Sequence, residues 1–284
     1  MRPRVAALLA LPFLFPAPAI SEDPGKTPGI QDNSFLIEEA YNQDRGVIQE
    51  IQTFAHARGI GWVYTLTQEW PVPDQKNQLS FTLPVLRVGE NGESATGPGD
   101  LALNYRYQLV GDSDAAVAMA PRFTLLLPTG SFSRSLGAGT VGFQGLVPVS
   151  AVLSPSVVTH WNLGATWYPR ANNIAGSSGS TVSYLFGQSF VWLTLPTFNL
   201  MLETLYTSTQ FVGDSGDRER RQDLIVSPGV RFAINVKGGL QIVTGVAVPL
   251  GVGPSQGQRS VLFYLSFEHP IPGSSPPASS QGGN

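Results

Sequence analysis

Residues 101–109, LALNYRYQL, alternate strictly between large apolar side chains and smaller or polar ones. One face holds Leu101, Leu103, Tyr105, Tyr107 and Leu109, and the other holds Ala102, Asn104, Arg106 and Gln108. A period of two predicts a β-strand with one apolar and one polar face. A soluble β-sandwich would show the same period, so this stretch indicates β structure without placing it in water or in lipid.

The same alternation recurs along most of the chain. It is clear in segments 60–70, 157–167, 198–206, 224–234 and 261–267. It is weaker in 47–57 and 182–195, whose faces stay unassigned. The runs extend over about 10–13 residues, which matches the ~9–11 residues of a tilted membrane strand and exceeds the ~5–6 of a soluble strand.

The connections between these segments alternate in length. Short turns are expected at 111–114, 155–156, 196–197 and 236–239, and long loops at 89–99, 129–140, 170–181, 213–222 and 251–259. Short turns on one rim and long loops on the other are typical of a transmembrane barrel. Because lipid offers no hydrogen-bond partner, such a sheet must close on itself. The sequence therefore predicts an all-β fold, a transmembrane antiparallel up-and-down β-barrel of about 12 strands, with a short N-terminal periplasmic helix.

Composition excludes several classes of function. Charged residues are 13% of the 284 residues, about half of the ~25% of a soluble domain. The net charge of −3 argues against a nucleic-acid partner. The chain has no Cys, and its three His residues are scattered. No metal and no cofactor is therefore expected.

The chain divides into four parts. Residues 1–19 are predicted to be a secretory signal peptide, with an early positive charge, a short apolar run and Ala17-Pro18-Ala19 as the cleavage pattern. Residues 20–46 are a periplasmic lead-in, 47–269 form the barrel, and 270–284 form a flexible C-terminal tail. Export through the inner membrane and residence in the cell outer membrane follow from this order.

The lead-in carries a short helical pattern over 33–43, NSFLIEEAYNQ, with Asn33 or Ser34 as its cap. We expect it to fold into the periplasmic mouth of the barrel as a possible plug. Phe35, Leu36 and Ile37 would then cover the lumen entrance.

Several charged or polar side chains are predicted to point into the lumen. These candidates are Glu69, Arg106, Arg122, His160, Asn162, Glu203, Arg231 and Glu268. Because a desolvated charge is costly unless paired, opposite charges are expected to meet across the lumen. They would either form a constriction that filters solutes or fill the interior structurally, and the structural interpretation is favoured.

A catalytic role is not expected. An outer-membrane lipid hydrolase needs a Ser nucleophile beside a His that a third group orients. No Gly-x-Ser-x-Gly motif occurs, and His160 is predicted to face inward, away from the lipid. The sequence therefore predicts no catalytic residue.

Three stretches resemble a known family. They are 33–49 (NSFLIEEAYNQDRGVIQ), 97–109 (GPGDLALNYRYQL) and 121–131 (PRFTLLLPTGS). They are similar to the phenol-degradation meta-pathway family of outer-membrane β-barrel proteins, also called the "transporter" family, over about residues 33–268. The resemblance implies a role in moving hydrophobic or aromatic compounds. The chain departs from typical barrels at its end, because Phe267 is followed by a tail instead of closing the sequence.

The sequence thus predicts an outer-membrane channel or transporter for small solutes, including hydrophobic or aromatic ones, by passive or facilitated diffusion. The alternative is a structural or adhesive barrel with a filled lumen, and a lipid hydrolase is the least favoured. The expected partners are outer-membrane lipid and lipopolysaccharide, a small-molecule solute and the barrel-assembly machinery, without nucleic acid.

Overall fold

The computed structural model describes residues 34–90, 93–236 and 239–270, and in these ranges nearly all regular structure is antiparallel sheet. The strands are β1 (Val47–Ala57), β2 (Gly61–Trp70), β3 (Asn77–Glu90), β4 (Glu93–Pro98), β5 (Leu101–Tyr107), β6 (Val117–Met119), β7 (Arg122–Leu127), β8 (Gly142–Ser154), β9 (Val157–Asn172), β10 (Ser178–Leu195), β11 (Phe198–Val212), β12 (Arg218–Asn235), β13 (Gln241–Ala247), β14 (Leu250–Gly251) and β15 (Ser260–Pro270). Two single 3₁₀ turns cover Phe132–Arg134 and Gly253–Ser255. None of the helical turns in the described ranges is long and apolar enough to cross a membrane.

The sheet closes on itself as a barrel of 12 strand positions, which confirms the predicted fold and count. β1 pairs with β15 and β11 pairs with β12, so no edge is left between the first and last positions. Three positions are each filled by two short strands: β4 with β5, β6 with β7, and β13 with β14. Gly99, Pro121 and Pro249 lie at these three breaks, and proline cannot donate to a sheet ladder.

Side chains alternate between an apolar exterior and a polar interior. On β5, Leu103 and Tyr105 are exposed on the outside, whereas Asn104 and Arg106 are buried within. A soluble barrel has the reverse arrangement. An apolar exterior with closed backbone pairing defines an outer-membrane β-barrel.

Several connections are shorter than predicted. β9 runs to Asn172 and β10 starts at Ser178, so the expected loop 170–181 shrinks to 173–177. In the same way β12 starts at Arg218, inside the expected loop 213–222. β3 ends at Glu90 and β4 starts at Glu93, so both strands occupy part of the expected loop 89–99. Both faces of a strand can be polar once it rises beyond the lipid, so these strand ends have the composition of loops.

The two ambiguous segments are both strands, β1 and β10. β10 changes register between Gly179 and Thr181 against β9, and between Leu193 and Leu195 against β11. Between the two shifts the register is continuous, but apolar Val191 is buried on the inner face beside Ser189, while Phe186 and Trp192 lie on the outer face. Because both faces carry apolar residues, the faces of 182–195 could not be assigned from the sequence.

The predicted N-terminal helix is wrong in the part that is described. Residues 34–46 contain bends and a turn but no helix. Their backbone N–H groups bind side chains of the barrel wall instead of carbonyls one helical turn back. The expected signal peptide, the start of the lead-in and the residues beyond 270 lie outside the described residues.

An arginine placed on the exterior should distinguish a lipid-facing surface from a water-facing one. Leu163 lies on the outside of β9 and is 63% exposed. We expect Leu163→Arg to destabilise the protein by about 2–4 kcal/mol in lipid, because the charge would enter hydrocarbon. Unfolding by denaturant in lipid vesicles measures this. Ile174→Arg is the control, since Ile174 is 73% exposed in the turn 173–177. Equal stability of the two variants would contradict a lipid-facing β9.

Candidate functional site: the lumen and the N-terminal segment

The N-terminal segment, residues 34–46, lies inside the barrel, and Glu203 anchors its start. The backbone N–H groups of Phe35, Leu36 and Ile37 donate to Glu203 Oε1 at 3.0, 2.7 and 3.1 Å. Glu203 is fully buried on the inner face of β11. Hydrogen bonds to an ionised acceptor are stronger than neutral ones, so one carboxylate fixes three consecutive residues of the segment.

Asn162 and Arg122 hold the next residue, Glu38. Its N–H donates to Asn162 Oδ1 at 2.8 Å, and its carbonyl accepts from Asn162 Nδ2 at 2.8 Å. Its carboxylate forms an ion pair with Arg122. Arg122 also donates to Gln144 Oε1 at 2.8 Å.

A buried serine and histidine hold Ala40. The Ala40 N–H donates to Ser150 Oγ at 2.8 Å, and Ser150 Oγ lies 2.7 Å from His160 Nδ1. The ring of Tyr41 meets His160 edge-on, with centroids 6.2 Å apart. Both Ser150 and His160 are fully buried beneath the segment.

Arg106 and Gln108 bind residues 39–42 of the segment. Arg106 donates to the carbonyls of Glu39 and Tyr41 and, at 2.9 Å, to Asn42 Oδ1. Gln108 accepts from the Asn42 N–H at 2.9 Å and donates to the Ala40 carbonyl at 2.7 Å. These bonds satisfy backbone groups that no sheet partner reaches.

Amides continue the network towards the strands that close the barrel. The Gln43 N–H donates to Gln78 Oε1 at 2.8 Å. The Gln43 side chain donates to Gln49 and, at 3.4 Å, to Glu69 Oε2. Gln49 in turn donates to Glu268 Oε1 at 3.2 Å.

Glycines in the wall make room for the apolar side chains of the segment. A Cβ added at Gly187 would lie 2.3 Å from Ile37 Cδ1, and one at Gly245 would lie 2.4 Å from Phe35 Cζ. Ile37 is 1% exposed. The Phe35 ring packs on Tyr264, with centroids 5.1 Å apart. These sockets could not be recognised from the sequence, because an inward-facing glycine has no pattern of its own.

All of the predicted lumen side chains lie on the inner side of the wall. Glu69, Arg106, Arg122, Asn162 and Glu203 contact the segment directly. His160 contacts the Tyr41 ring of the segment, and Glu268 reaches the segment through Gln49. Arg231 is buried with its guanidinium carbon 6.0 Å from the Tyr264 ring. Arg122 meets an opposite charge, Glu38, on the segment and not on another strand, whereas Arg106 donates to carbonyls and to Asn42 of the segment.

Sequence reasoning missed four neutral residues that hold the segment. They are Gln49, Gln78, Gln108 and Ser150. Gln49, Gln78 and Ser150 lie on the polar faces of their strands, and Gln108 continues the polar face of β5 one residue beyond its end. That alternation was the one available signal. A search for charged residues alone overlooks them, because amide and hydroxyl oxygens also accept from backbone N–H groups.

The extracellular mouth is narrowed by the connection 128–141. Asp100 accepts the N–H groups of Gly130 and Ala138 at 2.9 and 2.7 Å. Leu136 is 3% exposed and contacts Gly97 on the inner face of β4. This connection therefore folds into the mouth.

Hydroxyl groups line the inner wall from β1 to β3. Thr53 Oγ1 lies 2.6 Å from Thr65 Oγ1, and Thr67 Oγ1 lies 2.9 Å from Thr82 Oγ1. The hydroxyls bond to one another, so these four side chains make a polar, uncharged patch, and the charged side chain on the same face of β2 is Glu69, which contacts the segment.

The periplasmic mouth contains a cavity of about 520 Å³ below the segment, lined by both acidic and basic side chains. Arg45, Asp74, Lys76 and Asp112 are among them. Burial raises the pKa of nearby Asp44, with further contributions from Asp114 and Asp112. The side chain of Gln75 donates to Asp44 Oδ1 at 3.0 Å.

The chain belongs to the family described as "Putative MetA-pathway of phenol degradation", whose sequence profile matches residues 26–267. This confirms the family inferred from the sequence. No protein with a curated description matches the chain in sequence.

Two solved structures share the fold. The COG4313 outer membrane channel from Pseudomonas putida F1 has a TM-score of 0.61 at 16% identity, covering 81% of this chain and 97% of that chain. The NanC porin has a TM-score of 0.52 at 10% identity, covering 77% of this chain and 98% of that chain. At these identities the likeness establishes the outer-membrane barrel fold, and the chain is an outer-membrane protein.

Filling a glycine socket should loosen the segment. Gly187→Ala would force Ile37 away from the wall, and overpacking of this kind costs about 1–3 kcal/mol. We expect amide hydrogen exchange at residues 35–40 to rise roughly tenfold or more, since each 1.4 kcal/mol is a factor of ten. Gly145→Ala is the matched control, because a Cβ at Gly145 would meet nothing within 4 Å. Unchanged exchange in Gly187→Ala would contradict the socket.

Proposed function

We propose that this barrel is a channel through which small solutes cross the outer membrane by passive or facilitated diffusion, and that the N-terminal segment is its plug. The proposal rests on the observation that a separate segment of the chain fills the lumen. A structural barrel can fill a narrow interior with side chains of its own wall. Here a stretch of chain preceding β1 lies within the lumen, so it can leave without breaking any pair of the sheet.

The holding contacts favour a plug that can be released. Ala40 is bound by Ser150 and Gln108, and Asn42 by Gln108, through bonds from side chain to backbone. Water can replace each of these bonds, because a typical hydrogen bond contributes only about 0.5–1.5 kcal/mol net. Phe35, Leu36 and Ile37 act within this plug as apolar anchors.

We propose small, uncharged solutes, including hydrophobic or aromatic ones. The family description, which refers to phenol degradation, supports this class. The threonine hydroxyls on the inner wall of β1 to β3 support it too, because they offer hydrogen bonds without a fixed charge. The interior charges, Arg106 and Arg231 among them, then serve the plug and are not a filter for ions.

The alternative is a structural or adhesive barrel whose lumen stays filled. The number of bonds between wall and segment favours it, because many must break together. Catalysis has weaker support. The Ser150 hydroxyl accepts the Ala40 N–H and lies beside His160 under the segment, away from any acyl chain in the membrane. We propose that the protein is not an enzyme.

Removing the plug should open the channel. We expect deletion of residues 20–45 to raise single-channel conductance in planar bilayers severalfold. Glu203→Gln should raise the frequency of openings, because the anchor of residues 35–37 loses its charge and hydrogen bonds to charged groups contribute about 1.5–3 kcal/mol. Glu50→Gln is the control, since Glu50 lies on the outside of β1, where its carboxylate accepts from Gln52.

Solute uptake distinguishes a releasable plug from a permanently filled structural barrel. Liposomes carrying the deletion variant should swell faster than wild type in sugars and in small aromatic alcohols. Unaltered conductance and swelling in the deletion variant would reject the plug and favour the structural barrel.

Two partners belong to this proposal. Lipopolysaccharide would surround the extracellular half of the barrel. The barrel-assembly machinery would recognise Phe267, which lies near the end of β15 and stacks on His269 at 6.1 Å. Phe267 would thereby replace the terminal aromatic residue of typical barrels.

A further inference from the structure

We propose that Arg218 and Arg220 form a binding site for the phosphate groups of lipid A on the outside of the barrel. The site specifies where the proposed lipopolysaccharide contact occurs. It depends on the outer-membrane location and not on channel activity.

Both arginines lie on the exterior face of β12. On this strand Ser227 and Arg231 are buried inside, whereas Pro228 and Phe232 are exposed outside. Strand β12 pairs with β11 from Phe232 to Arg218 without a register shift. The period of two therefore places even-numbered residues outside along the whole strand.

A contact confirms this face for Arg220. Its guanidinium carbon lies 5.5 Å from the centre of the Tyr184 ring, and Tyr184 is an exposed side chain of β10. Arg221, between the two arginines, faces the other way. It forms an ion pair with Asp223 at 3.0 Å.

Both guanidinium groups are held by backbone carbonyls that are left unpaired where two strands separate. Pairing between β10 and β11 begins at Tyr184 and Ser208, and the upper ends of these strands are not paired with each other. Arg220 donates to the carbonyls of Ser208 and Val182, both at 3.1 Å. Arg218 donates to the carbonyl of Ser180 at 2.7 Å. The side chains are thus held in place before any ligand arrives.

These bonds leave the positive charges uncompensated, because carbonyls are neutral. Within the described part of the chain neither arginine has an ion pair. The adjacent acidic residues are directed elsewhere: Asp217 accepts the Ser215 hydroxyl at 2.9 Å, and Glu219 lies on the inner side of β12. Two arginines whose Cα atoms are about 7 Å apart along the strand therefore face outward without a carboxylate partner.

The level of the site indicates a lipid headgroup. Trp167 and Tyr184 are exposed aromatic side chains on the outside of β9 and β10, near the extracellular ends of these strands. Such aromatic girdles mark the boundary between hydrocarbon and headgroups. Arg218 and Arg220 lie beyond Tyr184, where the phosphates of outer-leaflet lipid A are found. The arginine fork matches phosphate geometry.

The arginines also close the gap between β10 and β11, so a purely structural role has to be tested against lipid binding. Native mass spectrometry of the folded full chain in detergent can measure binding of lipid A with both phosphates and of dephosphorylated lipid A. Phosphatidylglycerol serves as the other phosphate source. The variants are R218Q/R220Q, R218K/R220K and, as matched control, R221Q.

We expect wild type and R221Q to bind lipid A with both phosphates roughly tenfold or more tighter than dephosphorylated lipid A, a difference that corresponds to about 1.4 kcal/mol. R218Q/R220Q should lose this preference, and R218K/R220K should keep part of it. Phosphatidylglycerol should bind more weakly than lipid A to wild type.

Two results would overturn the site. One is a phosphate preference that survives in R218Q/R220Q, including the case in which only thermal stability falls. The other is phosphatidylglycerol binding as tightly as lipid A, which would assign the arginines to phospholipid. The channel proposal is unaffected by either result, because its test is conductance.

Discussion

Every backbone N–H and C=O group that lies in lipid must find its partner within the protein, and the rest of this structure depends on that constraint. A sheet meets it by closing, so β1 pairs with β15 and the barrel has no edge. Closure sends alternate side chains inward, where a twelve-stranded barrel encloses a narrow lumen. The polar interior is therefore a consequence of the closed sheet.

The same constraint explains how the N-terminal segment lies in the lumen. Its backbone has no strand to pair with, so wall side chains take the place of a sheet ladder. Glu203 accepts three N–H groups, while Gln108 both donates and accepts. The polar faces of the strands thus act as partners for a chain that is neither helix nor sheet. These bonds join the inner faces of the strands to the segment that we propose as the plug.

Near the extracellular end of the barrel, backbone groups no longer need a partner within the sheet. Above Tyr184 and Ser208 the ladder between β10 and β11 stops, and arginine side chains bind the carbonyls that remain. Such an arrangement suits the headgroup region, where water and charged groups are present. It would be unfavourable in hydrocarbon, because a charge there is costly without a partner.

The sequence by itself determined the class of fold, the number of strand positions and the inward direction of the lumen side chains. The period of two predicts the strands, and the lengths of the strands and of their connections place the sheet in a membrane. All of these are properties of residues close together in the chain. It failed for residues 34–43, where the helical pattern of Phe35, Ile37 and Ala40 was real but the partners lay elsewhere. Only the tertiary structure decided that Glu203, Asn162 and Ser150 would bind this segment, since these contacts join residues more than 100 positions apart. Closure of the barrel creates that proximity, and no local pattern records it.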